Sequence, residues 1–176
     1  PLWYRSKIGP SVSISLSYNS QSAINHNEPF GNKWMFNYSS YLVVDPAGNV
    51  TVFMPDGRRD VYTRTEGGYT PPYQVFNTLT FHGSNPQTVI GGDYFELKFP
   101  NNVLYIYQIP PGTNSQQPFL TEIRDPHGQK LTFGYDSNVR LTTITDALGR
   151  VTNLTYDDQG LVTLVRDPFA RQASFE

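Results

Sequence analysis

Residues 125–170 read DPHGQKLTFGYDSNVRLTTITDALGRVTNLTYDDQGLVTLVRDPFA. Within them Asp125-Pro126-His127-Gly128 returns as Asp146-Ala147-Leu148-Gly149 and then as Asp167-Pro168-Phe169-Ala170. Tyr135-Asp136 returns as Tyr156-Asp157, and the interval is the same every time, the step from Asp125 to Asp146. Asp-Pro-x-Gly suits a type I turn: Asp accepts hydrogen bonds from its own turn backbone, Pro arrives with φ already set for the turn, and Gly tolerates positive φ. Asp125, Pro126 and Gly128 meet all three conditions, as do Asp45, Pro46 and Gly48, while Asp146 and Gly149 meet two. In the last copy Ala170 replaces Gly, which weakens that turn if φ there is positive. A second turn lies inside each unit, at Asp157 to Gly160. In the earlier copy Val139 stands where Gly160 does. Val is a poor residue at positive φ, so Asn138 is expected to take the left-handed position, with the turn shifted by one residue.

Two turns in so short a unit leave two short strands, so each unit reads as an antiparallel pair and successive units as one meandering sheet. Leu131, Phe133 and Tyr135 align with Thr152, Leu154 and Tyr156, then with Ala173 and Phe175, as a mostly apolar face. Lys130, Thr132 and Gly134, Val151, Asn153 and Thr155, then Gln172, Ser174 and Glu176 form the mostly polar one. On the other strand Ile123, Ile144 and Val165 make one column and Thr121, Thr142 and Thr163 another. Such a unit needs neighbours to bury its apolar face, and its end strands stay open unless something covers them.

The rest of the chain agrees with a β fold. Its 176 residues include 12 Tyr, 11 Phe, 14 Gly and 14 Pro, with only 16% charged residues; many turns between Tyr-, Val- and Thr-rich strands have this composition. Val12 to Tyr18, VSISLSY, alternates apolar and Ser as one strand with Val12, Ile14, Leu16 and Tyr18 on the buried face. A loop follows, and Trp34 to Val44 returns as strand. Asp45 to Gly48 and Pro55 to Gly57 turn into the next strands. Residues 66–74, EGGYTPPYQ, read as an exposed loop; strands follow over 76–81, 93–99 and 103–109, and a loop over 109–118. No window of helical periodicity appears. The predicted class is all-β, an antiparallel meander of hairpins, curled or sandwich-like, with little or no helix. Residues 1–118 form a first β region, continuous with the repeats of 119–176. Because the chain begins at Pro1 and stops in mid-pattern at Glu176, it reads as a fragment.

The unit Tyr-Asp…Leu-Thr-x-Ile-x-Asp-x-x-Gly-Arg-x-Thr resembles the YD repeat of RHS proteins; YDSNVRLTTITDALGRVT, residues 135–152, matches it at most positions, with Val139 replacing the usual Gly. IGPSVSISLSYNS and PFGNKWMFNY, with Phe30, Gly31, Trp34 and Tyr38, resemble the segment that opens an RHS shell. The resemblance implies a structural role. RHS proteins, and the related insecticidal toxin complexes and teneurins, wind such repeats into a large hollow β-shell that encloses a toxin or serves as an adhesive scaffold. It also implies a secreted or cell-surface location, and as partners the rest of the shell and an enclosed toxin. The family's self-cleaving aspartyl site has no match here, so no catalytic residue is carried over.

Other chemistries find little support in the residues. The net charge is −2 with no basic run, which argues against nucleic acid, and no apolar stretch is long enough to span a membrane. With no Cys there is no thiolate nucleophile or Cys-based zinc site. His26, His82 and His127 are far apart and read as loop residues, not ligands. Asp157-Asp158, Asp93 and Glu96 could suggest a carboxylate pair, but adjacent Asp residues on a turn point different ways. The expectation is a non-enzyme without cofactor or metal. Tyr69 and Tyr73, in the Gly/Pro loop, are the candidate contacts for a sugar or a partner chain. The structural positions are the turn residues Asp45, Gly48, Asp125, Gly128, Asp146, Gly149, Asp157, Gly160 and Asp167 and the aromatics Tyr135 and Tyr156. Two functions follow: a wall segment of an RHS-type shell, or an autonomous adhesion or carbohydrate-binding module. A wall segment is expected to expose open strand edges and half-covered apolar faces, and so to oligomerise.

Overall fold

The computed structural model describes residues 2–20 and 28–175. Among them there is no helix. The strands, in chain order, are β1 (Trp3–Tyr4), β2 (Val12–Ser13), β3 (Leu16–Tyr18), β4 (Trp34–Phe36), β5 (Tyr41–Val44), β6 (Val50–Phe53), β7 (Arg59–Thr65), β8 (Gly68–Thr70), β9 (Thr78–His82), β10 (Tyr94–Lys98), β11 (Leu104–Gln108), β12 (Phe119–Arg124), β13 (Lys130–Tyr135), β14 (Leu141–Thr145), β15 (Val151–Tyr156), β16 (Val162–Arg166) and β17 (Gln172–Ser174). All pairs are antiparallel and no sheet closes into a barrel.

The repeats form the meander the columns require, in the order β17-β16-β15-β14-β13-β12. Phe133 faces Ile144 and Leu154 faces Val165 across the ladder. Ile144 and Val165 are fully buried, and Leu131, Phe133, Thr152 and Leu154 nearly so. The sheet forks at β12. That strand pairs with β13 and with β11, and its first residue, Phe119, also pairs with Tyr41 of β5. One branch continues as β5-β6-β7-β8, the other as β11-β10-β9.

The apolar face of the repeats does not stand half-open. Residues 30–38 lie over it: Tyr38 packs on Phe133 with ring centroids 5.0 Å apart, and Phe30 sits between Phe36 and Phe175 at 5.0 and 4.9 Å. Aromatic pairs in such edge and tilted geometries add about 0.5–1.5 kcal/mol each beyond the area they bury. One continuous core results, with Leu2, Val12, Phe36, Leu42, Tyr107, Leu131 and Val165 in the same cluster.

VSISLSY is not a single strand. Val12–Ser13 pairs with Trp3–Tyr4, and Leu16–Tyr18 pairs with Trp34–Phe36. At the changeover the Asn37 side chain takes the place of a ladder: its Oδ1 accepts the Ser15 N–H at 2.9 Å and its Nδ2 donates to the Ser13 carbonyl at 2.9 Å. Tyr18, expected on the buried face, is exposed and packs at a tilt against Trp34, with centroids 5.3 Å apart. Trp34 to Val44 is likewise interrupted, because residues 37–40 bridge two different sheets. The open loop expected over 66–74 is also corrected. Gly68–Thr70 is a strand paired with β7, so the break falls at the two-residue turn before it and at Pro71-Pro72 after it.

Candidate functional site: the corners of the repeat

Every described Asp-led turn has one backbone pattern. The Asp N–H donates to the carbonyl four residues on, at 2.8–3.0 Å, and the N–H three residues on donates back to the Asp carbonyl, at 2.9–3.1 Å; the leading residues are Asp45, Asp125, Asp136, Asp146, Asp157 and Asp167. This is a three-residue hairpin loop whose last residue is left-handed. Met54 and Phe99 lead corners of the same backbone form without the carboxylate. In the repeats the Asp Oδ1 accepts the N–H two and four residues on, as Asp146 does from Leu148 and Arg150, both at 2.9 Å. In three corners the fourth residue is Arg, whose Nε donates to Oδ2: Arg140 to Asp136 and Arg150 to Asp146 at 2.8 Å, and Arg171 to Asp167 at 2.6 Å. Burial pushes the Asp136 carboxyl upward, but the backbone and guanidinium of Arg140 outweigh it and hold its pKa below the ordinary value. Arg171 and the corner N–H groups do the same for Asp167.

The left-handed position is Gly in Gly48, Gly128, Gly149 and Gly160, with φ from 77° to 86°. In the other two corners it is filled against preference. Val139 itself takes φ 62° and Ala170 φ 63°. The expected shift to Asn138 does not occur, because Val139 N–H must reach the Asp136 carbonyl and Arg140 must reach its carboxylate. These bonds fix the register and leave the strain on Val139. Val139→Gly is therefore expected to stabilise the chain by about 1 kcal/mol, a rise of about 2–4 °C in Tm. An unchanged or lower Tm in a thermal melt would show that the corner is not strained.

Two further columns have roles that spacing alone did not reveal. The ladders skip Thr121, Thr142 and Thr163, so each is the extra residue of a β-bulge. Thr142 and Thr163 donate to a carbonyl of the neighbouring strand, Gly134 at 3.2 Å and Thr155 at 3.3 Å, while the Thr121 hydroxyl lies within reach of both the Ile106 carbonyl at 3.3 Å and Gln108 Oε1 at 3.1 Å. The repeat tyrosines complete the same device. Tyr135 Oη donates to the Leu120 carbonyl and Tyr156 Oη to the Leu141 carbonyl, both at 2.7 Å, one residue before the bulge of the preceding unit. Burial pushes both phenols well above the ordinary tyrosine pKa, so both remain donors.

One end of this row of corners is clasped by residues 3–9. A Cβ added to Gly9 would lie 2.9 Å from Ala147 Cβ and 3.0 Å from Gln129 Cβ. Arg150 stacks over Tyr4 at 4.9 Å and reaches Ser6 Oγ at 3.3 Å; Arg171 donates to the Trp3 carbonyl at 2.8 Å.

The family model described as RHS Repeat matches residues 119–147 and 138–172, and one described as a domain of unknown function, DUF6531, matches residues 8–62. No curated protein matches the chain. Residues 119–172 of this chain are RHS repeats. The two RHS repeat matches span β12 to the start of β17, so they contain the corners from Asp125 to Asp167 and both tyrosines. The RHS repeat signature is thus a hydrogen-bonding device for making corners and bulges, and its role in an RHS protein is structural.

The aromatic candidates separate. Tyr69 is half-buried in β8 with its ring 6.2 Å from Phe95, and its hydroxyl is buried, so the core claims it after all. Tyr73 is 91% exposed. Of the histidines, His82 stacks on Tyr94 and His127 is an exposed corner residue, while His26 lies outside the described residues. Among the described residues no cluster of His, Asp and Glu could hold a metal, and no helix is long and apolar enough to cross a membrane.

Proposed function

We propose that this RHS repeat chain is a non-enzymatic wall segment of a larger secreted or cell-surface β-shell, which encloses or scaffolds a toxin or effector domain. One observation carries the reading. The polar groups that recur in each unit, the Asp carboxylates, Thr hydroxyls and Tyr hydroxyls, hydrogen-bond within the sheet itself. A repeat that held a substrate would leave some of them facing outward. The wall is extendable, because among the described residues β17 pairs only with β16. Cryo-electron microscopy of the full-length parent protein is expected to show a hollow, β-walled body, and limited proteolysis to leave an enclosed domain intact. A compact solid particle with no protected domain would refute the shell.

A second reading, an adhesion or carbohydrate-binding module, rests on Tyr73, an aromatic ring almost wholly in solvent. Binding of a defined glycan by the monomeric chain, lost in Tyr73→Ala, would favour it over the wall.

A further inference from the structure

The clasp over the corners has a repeating logic, and its last step is unfilled. Read from Gly9 back to Trp3, the clasp meets three successive corners at one end of the sheet. Gly9 abuts Gln129 and Ala147, of the Asp125 and Asp146 corners. Ser6 and Tyr4 meet Arg150 of the Asp146 corner. Tyr4 packs edge-on against Phe169 at 5.4 Å, and the Trp3 carbonyl accepts from Arg171, both of the Asp167 corner.

Arg150 and Arg171 hold the same place, four residues after the corner Asp, yet their surroundings differ. Arg150 lies between Tyr4 at 4.9 Å and Phe169 at 5.4 Å, and Phe169 belongs to the next corner along. Its side chain is 26% exposed. Besides its bonds to Asp167 and the Trp3 carbonyl, Arg171 meets one described ring, the Phe169 of its own corner, at 5.8 Å, and its side chain is 52% exposed. Beside it Trp3 and Phe169 are 58% and 54% exposed, and with Tyr4, Arg5 and Arg171 they line an open cleft of about 460 Å³. β17 is the last strand of the sheet, and among the described residues it pairs with β16 alone.

We propose that the Trp3–Arg171 cleft is the seat of one further Asp-led corner, whose third residue lies across Arg171 as Phe169 lies across Arg150. The occupant is the corner of another repeat unit of the same chain, added to the open edge of β17. This rests on the wall-segment reading and adds to it that the first residues of the chain act as a clasp that registers each unit's corner. The chemistry suits such an occupant. An apolar or aromatic third residue meets Trp3 and the face of a guanidinium.

The test extends the chain by one repeat unit, a second copy of residues 156–176 placed after Glu176 so that the period is kept, in a Trp34→Phe background so that Trp3 is the sole reporter. If the seat exists, added strand signal in circular dichroism is accompanied by a blue shift of Trp3 emission and at least a twofold loss of acrylamide quenching. Replacing the aromatic third residue of the added corner by Ser should reverse the shift without removing the added strands. If the unit adds its strands but Trp3 stays as accessible as before, the seat is refuted and the wall reading survives. If the unit adds no strands, both fall. Should Trp3 become protected in the unextended chain as it dimerises on concentration, the seat belongs to a second copy and the proposal is overturned.

Discussion

Asp146→Ala is expected to destabilise the chain by about 3–5 kcal/mol, the range for stripping one partner from a buried ion pair. The Asp146 side chain has no exposed surface. It accepts from the N–H groups of Leu148 and Arg150 and from the Arg150 guanidinium. Alanine leaves those partly buried donors without their acceptor, and an unmet donor costs more than a made bond returns. The loss also spreads. Arg150, no longer oriented by the carboxylate, is free to leave Tyr4 and Ser6, so residues 3–6 should lose protection together with the corner. Against a total stability of about 5–15 kcal/mol for an ordinary domain, the variant should be partly unfolded at physiological temperature. Urea denaturation gives the magnitude, and amide exchange at Leu148, Arg150 and Tyr4 gives the reach. Asp125→Ala is the comparison, because its corner carries Gln129 in place of Arg; a loss there equal to that at Asp146 would remove the guanidinium from the account.

Gly9→Ala is the second large effect. Gly9 has φ 75°, a conformation that costs an L-residue about 1–2 kcal/mol. Its new methyl would also press on Ala147 and Gln129 at 2.9 and 3.0 Å, and overpacking of this kind costs about 1–3 kcal/mol. The two together, about 2–5 kcal/mol, should appear as lost protection over residues 2–14. Gly112 separates the two causes: its φ is 77° but a Cβ there would meet nothing within 4 Å. Gly112→Ala should therefore show the backbone part alone. Equal losses at the two glycines would mean that the clasp does not touch the corners.

Much of the repeat was legible in the sequence, because turn chemistry and a period of two are local rules. Asp125 to Gly128 and Asp146 to Gly149 could be placed as corners from their own residues, and the buried column of Ile123, Ile144 and Val165 from alternation. Val139 was misread for the opposite reason: the preference of one side chain is local, but the register of its corner is held by Asp136 and Arg140 together. VSISLSY failed likewise, since alternation reports which face is buried and not that the pairing partner changes midway. Tyr69 looked free because two Gly and two Pro surround it, and a two-residue turn was enough to return it to the sheet. The Thr and Tyr columns were visible as columns; their hydrogen bonds were not, because the bulge that creates them appears only when two strands are laid side by side. The clasp joins Gly9 to Gln129 and Ala147, far away along the chain, and left no periodic trace.

A bulge of the Thr121, Thr142 and Thr163 kind bends its strand and sharpens the local twist. There is one per unit, always on the alternate strand, so identical bends would add from unit to unit. If the wall proposed above closes into a shell, its radius would be set within a single repeat, much as the arc of an arch is set by the taper of each stone, and would change by altering one threonine throughout.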